Sequence, residues 1–282
     1  MSISDFVVFI LSHGRAENVY TVNTLRKHGY TGKIVIVIDN EDKTADQYYS
    51  NFEHVEMFDK KAIANTFDEC DNFNDRRAIV YARNACFDIA KKLGYKYFIE
   101  LDDDYTYFGY RVYNEERQKP SNIWNLDNVF LLLLDFYKKT KFATISMAQG
   151  GDFIGGKNNI MAKKPTLFRK CMNSFICSTD RPFQFIGRIN EDVNTYVKKQ
   201  SIGLLMGTIP FVALSQKTTQ KNKGGMTDLY LDSGTYVKSF YTVMLSPASC
   251  YIKPMGDKHK RLHHAIKWDN AIPKIISQKH KK

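Results

Sequence analysis

Tyr97-Phe98-Ile99-Glu100-Leu101 runs directly into Asp102-Asp103-Asp104. A run of aromatic and β-branched residues that stops this abruptly reads as a strand leaving the core, with three acids together at its carboxyl edge. Open α/β sheets bind ligands at that edge. Adjacent like charges are costly unless a cation or a hydrogen-bond network offsets them, so a divalent metal is the economical explanation. The alternative reading of an Asp cluster is a helix N-cap or an acidic turn. Position at a strand end favours the ligand site.

Working outward, the residues before the acids alternate between strand and helix patterns, which predicts an α/β fold with a mixed, mostly parallel sheet flanked by helices. Strands are expected at 6–11, 34–38, 54–57 and 97–101. One helix is expected over 16–27 with Gly29 beyond its end, and another over 77–93, stopped by Gly94. The second places Ala78, Ala82, Cys86, Ile89 and Leu93 on one face. Past the acids the alternation weakens to a helix at 125–139, a strand at 144–148 and a loop at 150–165 rich in Gly, Lys and Asn. Neither an internal repeat nor a linker marks a boundary. One domain over 1–282 is expected, with 1–112 as a nucleotide-binding half and 113–282 as an acceptor-binding half.

The composition, 43% hydrophobic and 25% charged, is that of an ordinary globular protein. The longest apolar run, 129–134, is too short to cross a bilayer, and the opening Ser2-Ile3-Ser4-Asp5 lacks the basic region of a signal peptide. A cytoplasmic protein is expected. Cys70, Cys86, Cys171, Cys177 and Cys250 are odd in number and contain no Cys-x-x-Cys, so reduced thiols are expected rather than a disulfide framework or a zinc knuckle. The net charge of +11 favours a polyanionic partner. Basic residues concentrate after 156, among them Lys157, Lys163, Lys164, Arg169, Lys170, Lys217, Lys221, Lys223, Lys258, Lys260 and Arg261. Phe168, Phe175, Phe183, Phe185, Tyr230 and Tyr236 lie between them, a pattern compatible with a groove that tracks a nucleic-acid backbone.

Two nucleotide signatures are excluded. Ser12-His13-Gly14-Arg15 follows the first strand with one glycine where a dinucleotide fingerprint needs three. The stretch 151–158 nearly spells a P-loop but has Asn158 where a hydroxyl should meet magnesium. Arg76 and Arg83, seven residues apart, would share a helix face and could hold a diphosphate, with Arg83 the more buried between small neighbours. Asp257, His259, His263 and His264 cluster near the C-terminus. His259 and His263 have helical i, i+4 spacing but lack the Glu of a zinc protease, and one imidazole completing a metal site held by the Asp cluster is the simpler reading. Glu191-Asp192 precedes an apolar-periodic stretch. The two acids either complement a helix dipole or supply a general base.

Together these residues resemble the GT-A glycosyltransferases, which use a nucleotide sugar. The resemblance runs through Ser12-His13-Gly14-Arg15, Ala82-Arg83-Asn84, Asp102-Asp103-Asp104, Asn190-Glu191-Asp192 and the closing His263-His264 with Trp268, Pro273 and Lys274. Within that fold the chain looks most like the TET-associated glycosyltransferases, a group thought to add sugar to hydroxymethylated pyrimidines in phage DNA. The resemblance implies a donor pocket lined by Ser12, His13 and Arg15, with Arg83 on the donor and Asp102 on the nucleoside, Asp103 being the less defined neighbour. It implies Mn2+ or Mg2+ on Asp104 with His263 or His264 near the metal or diphosphate, and a base at Glu191 or Asp192. The implied donor is a UDP-sugar and the implied acceptor is 5-hydroxymethylcytosine in double-stranded DNA, within an infected bacterial cell. The alternatives are the same chemistry on a protein or glycan, a non-catalytic nucleic-acid-binding module, or a metal nuclease.

Overall fold

The structure is a computed structural model that describes residues 2–69, 74–113, 118–153, 159, 170–217, 232, 234, 236–256, 260–272 and 278. Its first half alternates as β1 (Phe6–Leu11), α1 (Tyr20–Lys27), β2 (Ile34–Asp39), α2 (Ala45–Asn51), β3 (Val55–Phe58), α3 (Lys60–Ala64), α4 (Val80–Lys92) and β4 (Tyr97–Asp102). There follow β5 (Tyr105–Tyr113), β6 (Gln118–Asn122), α5 (Leu126–Lys139), β7 (Phe142–Gln149), β8 (Ser174–Ser178), α6 (Glu191–Ser201) and β9 (Leu205–Gln216). The described chain closes with α7 (Tyr236–Leu245), β10 (Cys250–Met255), β11 (Arg261–Ile266) and α8 (Trp268–Ala271).

A nine-stranded sheet in the order β3-β2-β1-β4-β8-β7-β9-β5-β6 carries the fold. β3, β2, β1 and β4 are mutually parallel, and β7 is parallel to β9. β8 and β5 run against their neighbours, which makes the sheet mixed as expected. β1 is buried at every position, as a strand covered on both faces must be. Its alternate side chains feed two cores. Phe6, Val8 and Ile10 pack with Leu25, Phe130 and Leu134 from α1 and α5. Val7, Phe9 and Leu11 pack with Val80, Cys86 and Ile89 of α4 and Val193 and Val197 of α6.

Several boundaries move. α1 begins at Tyr20 rather than 16, because Gly14 at φ +68° turns the chain and the Arg15 amide donates to the Tyr48 hydroxyl at 2.9 Å instead of entering a helix. α4 begins at Val80, so Arg76 lies ahead of it and pairs with Glu41 at 2.7 Å instead of sharing a face with Arg83. Residues 261–266 form a strand, so the helical spacing read into His259 and His263 does not apply to His263. Phe175 and Phe185 are buried in the core beside Arg83 and line no groove, and Phe183 packs partly buried against the same core. Cys86, Cys171, Cys177 and Cys250 are free buried thiols. The near-P-loop stretch apart from 151–153, the basic and aromatic residues at 157–169 and 221–230, and Cys70, Asp257, Lys258, His259, Pro273 and Lys274 lie outside the described residues. Among the described residues no helix is long and apolar enough to cross a membrane.

Candidate active site

Parallel pairing of β1 with β4 sets Leu11 beside Asp102, so the next residues, Ser12 and Asp103, leave the sheet side by side. The Ser12 hydroxyl donates to Asp103 at 2.6 Å, and the Tyr48 hydroxyl lies 2.7 Å from the same oxygen. Since Tyr48 accepts the Arg15 amide and Ser12 has its proton on Asp103, Tyr48 donates to Ser12. An Arg15 Nη stands 3.3 Å from the second Asp103 oxygen. Asp103 is thereby committed to holding the 12–15 loop.

The backbone of the acidic turn is tied down by Thr21, whose hydroxyl donates to the Asp102 carbonyl at 2.6 Å and whose amide donates to that of Asp103 at 3.1 Å. Asp102 accepts from an Arg83 Nη at 2.9 Å. Asp104 makes no side-chain hydrogen bond or ion pair among the described residues. Burial, reinforced by the charges of Asp102 and Asp103, pushes its carboxyl up to about 7. A partly buried carboxylate held among like charges is suited to a hard divalent cation, which relieves the repulsion. Asp104 and Asp102 supply oxygen donors of the right kind for magnesium or manganese.

Arg83 connects this turn to α6. Only 1% exposed, it donates from Nε to Glu191 at 3.1 Å, stands 3.9 Å from Glu100, and lies with its guanidinium carbon 4.8 Å from the Phe175 ring centre. It thus lies beneath the site, joined to acids on β4 and α6. Asn190, at φ 60°, occupies the left-handed conformation that turns the chain into α6, and its amide donates to Thr242 at 2.6 Å. That turn brings Glu191 over Arg83 and begins the helix with Asp192, as the sequence suggested. Burial first, then the neighbouring Asp192, raises the Glu191 carboxyl despite Arg83. One Asp192 oxygen accepts the Val193 amide at 2.7 Å, and Asp192 forms no ion pair among the described residues.

A cavity of about 510 Å³ opens at the carboxyl ends of β1 and β2. Ser12, His13, Gly14 and Arg15 line one side, and Glu191 reaches it from α6. Asp39, Asp42, Lys60 and Arg188 are among its residues that were missed in the sequence. Asp39 accepts from His13 Nδ1 at 2.7 Å and from buried Lys60 at 3.2 Å. Burial works to raise the Asp39 carboxyl, but His13 and Lys60 outweigh it and hold it below its ordinary value. Asp42 accepts the Gly14 amide at 2.7 Å, lacing the two loops into one wall. Asp39 ends a strand just as Asp102 does, a signal that could have found it.

His263 and His264 lie on β11, away from helical geometry. His263 Nδ1 donates to the His264 carbonyl at 2.7 Å, while His264 Nδ1 is buried without a hydrogen-bond partner among the described residues. Burial, then His263, Lys238 and Lys170, push the His264 imidazole down to about 3. Among the described residues no three His, Cys, Asp or Glu side chains are gathered at metal-ligand geometry, so the pair is not assembled with Asp104 into a cage. Trp268 stacks on Tyr196 with centroids 5.9 Å apart, a packing role.

No curated protein matches the chain. Among solved structures it is similar to a mycobacterial protein at 7% identity and TM-score 0.50, over 93% of this chain and 84% of the other. It is also similar to the glucosyl-3-phosphoglycerate synthase of Mycobacterium tuberculosis, solved with Mn2+, UDP and phosphoglyceric acid, at 8% identity and TM-score 0.46, over 93% and 87%. A third likeness is to S. aureus TarS, at 10% identity and TM-score 0.41, over 76% and 60%. The family model for TET-associated glycosyltransferases matches residues 6–225, which hold the acidic turn, Arg83, the cavity and Glu191-Asp192, and stop short of His263-His264. This chain belongs to the TET-associated glycosyltransferases.

Proposed function

We propose that this glycosyltransferase moves a sugar from a UDP-sugar to the hydroxyl of 5-hydroxymethylcytosine in double-stranded phage DNA. The observation that carries the donor half is the cavity at the β1 and β2 ends, whose wall residues Ser12 and Arg15 both reach Asp103, next to Asp104, a carboxylate with no side-chain hydrogen bond or ion pair among the described residues. The nucleoside fits the cavity beside Asp39, whose carboxylate offers an acceptor for a base edge, and beside His13, which holds that carboxylate in place. Arg15 and Arg188 stand at its wall with charge for the diphosphate. Asp104, with Asp102 beside it, would hold Mn2+ or Mg2+. When bound, the cation offsets the charge of the departing diphosphate.

Asp192 is the better base of the two α6 acids, because accepting a proton needs a carboxylate that no cation holds. Glu191, clamped by Arg83, positions the first turn of α6. The DNA acceptor is supported by the family's association with TET and by the net charge of +11. The test is nucleoside mass analysis after incubating hydroxymethylated DNA with a panel of nucleotide sugars and manganese. A hexose or pentose added to hydroxymethylcytosine is expected. Transfer to a peptide or glycan, with none to DNA, overturns the acceptor.

A further inference from the structure

β10 and β11 form a two-stranded antiparallel ribbon separate from the main sheet, and it lies beyond the residues that the family model matches. The register sets Lys253 opposite His263 and Met255 opposite Arg261, so Tyr251, Lys253, Met255 and Arg261 share one face. Tyr251 is 41% and Met255 39% exposed, and Lys253 and Arg261 are exposed as well. Such apolar side chains on an open ribbon have given up burial that the core offers their neighbours Cys250 and Ala265. The Lys267 ammonium lies 5.7 Å from the centre of the Tyr251 ring, extending the same basic and aromatic surface. Among the described residues from 236 to 267 there is no Asp or Glu, while Lys238, Lys253, Lys260, Arg261 and Lys267 are all cationic.

We infer that the β10–β11 ribbon is the surface on which duplex DNA docks. The inference rests on the DNA-acceptor reading and adds to it the element that grips the acceptor. A two-stranded ribbon fits the major groove of a duplex, and a face carrying lysines and an arginine, with no acid among its described residues, complements phosphates on both sides of that groove. Lys253, Arg261 and Lys267 contact the phosphates. Tyr251 and Met255 press against the base edges of the groove beside the target, which is extruded from the stack.

The test compares the full chain with a Lys253→Ala, Arg261→Ala, Lys267→Ala variant, using fluorescence anisotropy on a 20-base-pair duplex between 50 and 200 mM salt, with UDP binding measured on both. Loss of three phosphate contacts is expected to weaken duplex binding at least about tenfold and to reduce the salt slope by about 3, with UDP binding unchanged. Wild-type duplex affinity and slope in the variant, or a change in its oligomeric state alone, overturns the ribbon as the docking surface while leaving the DNA acceptor intact. Failure of the unaltered chain to bind duplex at any salt overturns the acceptor reading itself.

Discussion

Arg83 and Glu191, 108 residues apart, meet at 3.1 Å in the core and lock the helix before the acidic strand to the first turn of α6. The same guanidinium holds Asp102, so one buried cation aligns carboxylates from two elements. Removing it should cost more than the pair contributes, because the acids stay buried without a counter-charge. Arg83→Met is expected to lose about 3–5 kcal/mol in urea unfolding, with part of the loss recovered by adding Glu191→Gln. Unfolding of Arg83→Met at the wild-type midpoint would refute the clamp.

Asp104→Asn leaves the described hydrogen bonds of the turn in place, since Asp104 has no side-chain partner among the described residues. Thermal stability at or above the wild type is expected near neutral pH, because the neutral amide removes the repulsion from Asp102 and Asp103, together with loss of manganese-dependent transfer. The loss should amount to several kcal/mol of transition-state stabilisation, on the order of 100-fold or more in rate. Manganese titration followed by calorimetry checks the binding, and full metal affinity in the variant would move the ligand elsewhere.

Asp192→Asn and Glu191→Gln separate the base from its neighbour. The first is expected to reduce kcat by about 100-fold or more while donor KM stays near the wild-type value, because a general base acts only on the chemical step. The second should lower unfolding stability through Arg83 and leave the kcat loss smaller. Equal kcat losses without a stability difference would contradict the division of roles.

Glu100 is 0% exposed, and neither of its oxygens has a hydrogen-bond partner among the described residues. Burial raises its carboxyl well above the ordinary 4.5, so folding favours the protonated form. Its contribution is full below pH 4.5 and is lost as the pH rises toward the elevated folded value. Glu100→Gln, neutral at every pH, should therefore melt higher than the wild type near about pH 8, with the gap closing below about pH 4.5. Melting curves across that range decide it. A gap that widens on acidification would show that Glu100 is ionised in the fold.

Periodicity served well where a segment's partners lie along its own pattern. The strand at 6–11 was placed at its observed bounds, and the helix at 125–139 was foreseen to within its N-cap, because apolar spacing and Asn125 are local signals. It served poorly after β7. β8 and β9 are set by antiparallel and crossing pairings, and β11 by its hairpin with β10, whose registers no single segment carries. The two histidines show the same limit. Spacing suggested a shared helix face with His259, while cross-strand pairing to Ile252 and Lys253 made a strand.

By itself, the sequence placed Asp102-Asp103-Asp104 at the end of a buried strand, since the apolar run stops abruptly at the acids. Only the tertiary structure decided what each acid does. Ser12 and Arg15 occupy Asp103, Arg83 occupies Asp102, and Asp104 has no side-chain partner among the described residues. Those partners come from 91, 88 and 19 residues away along the chain, and a charge pair depends on distance in space, which a one-dimensional pattern does not encode.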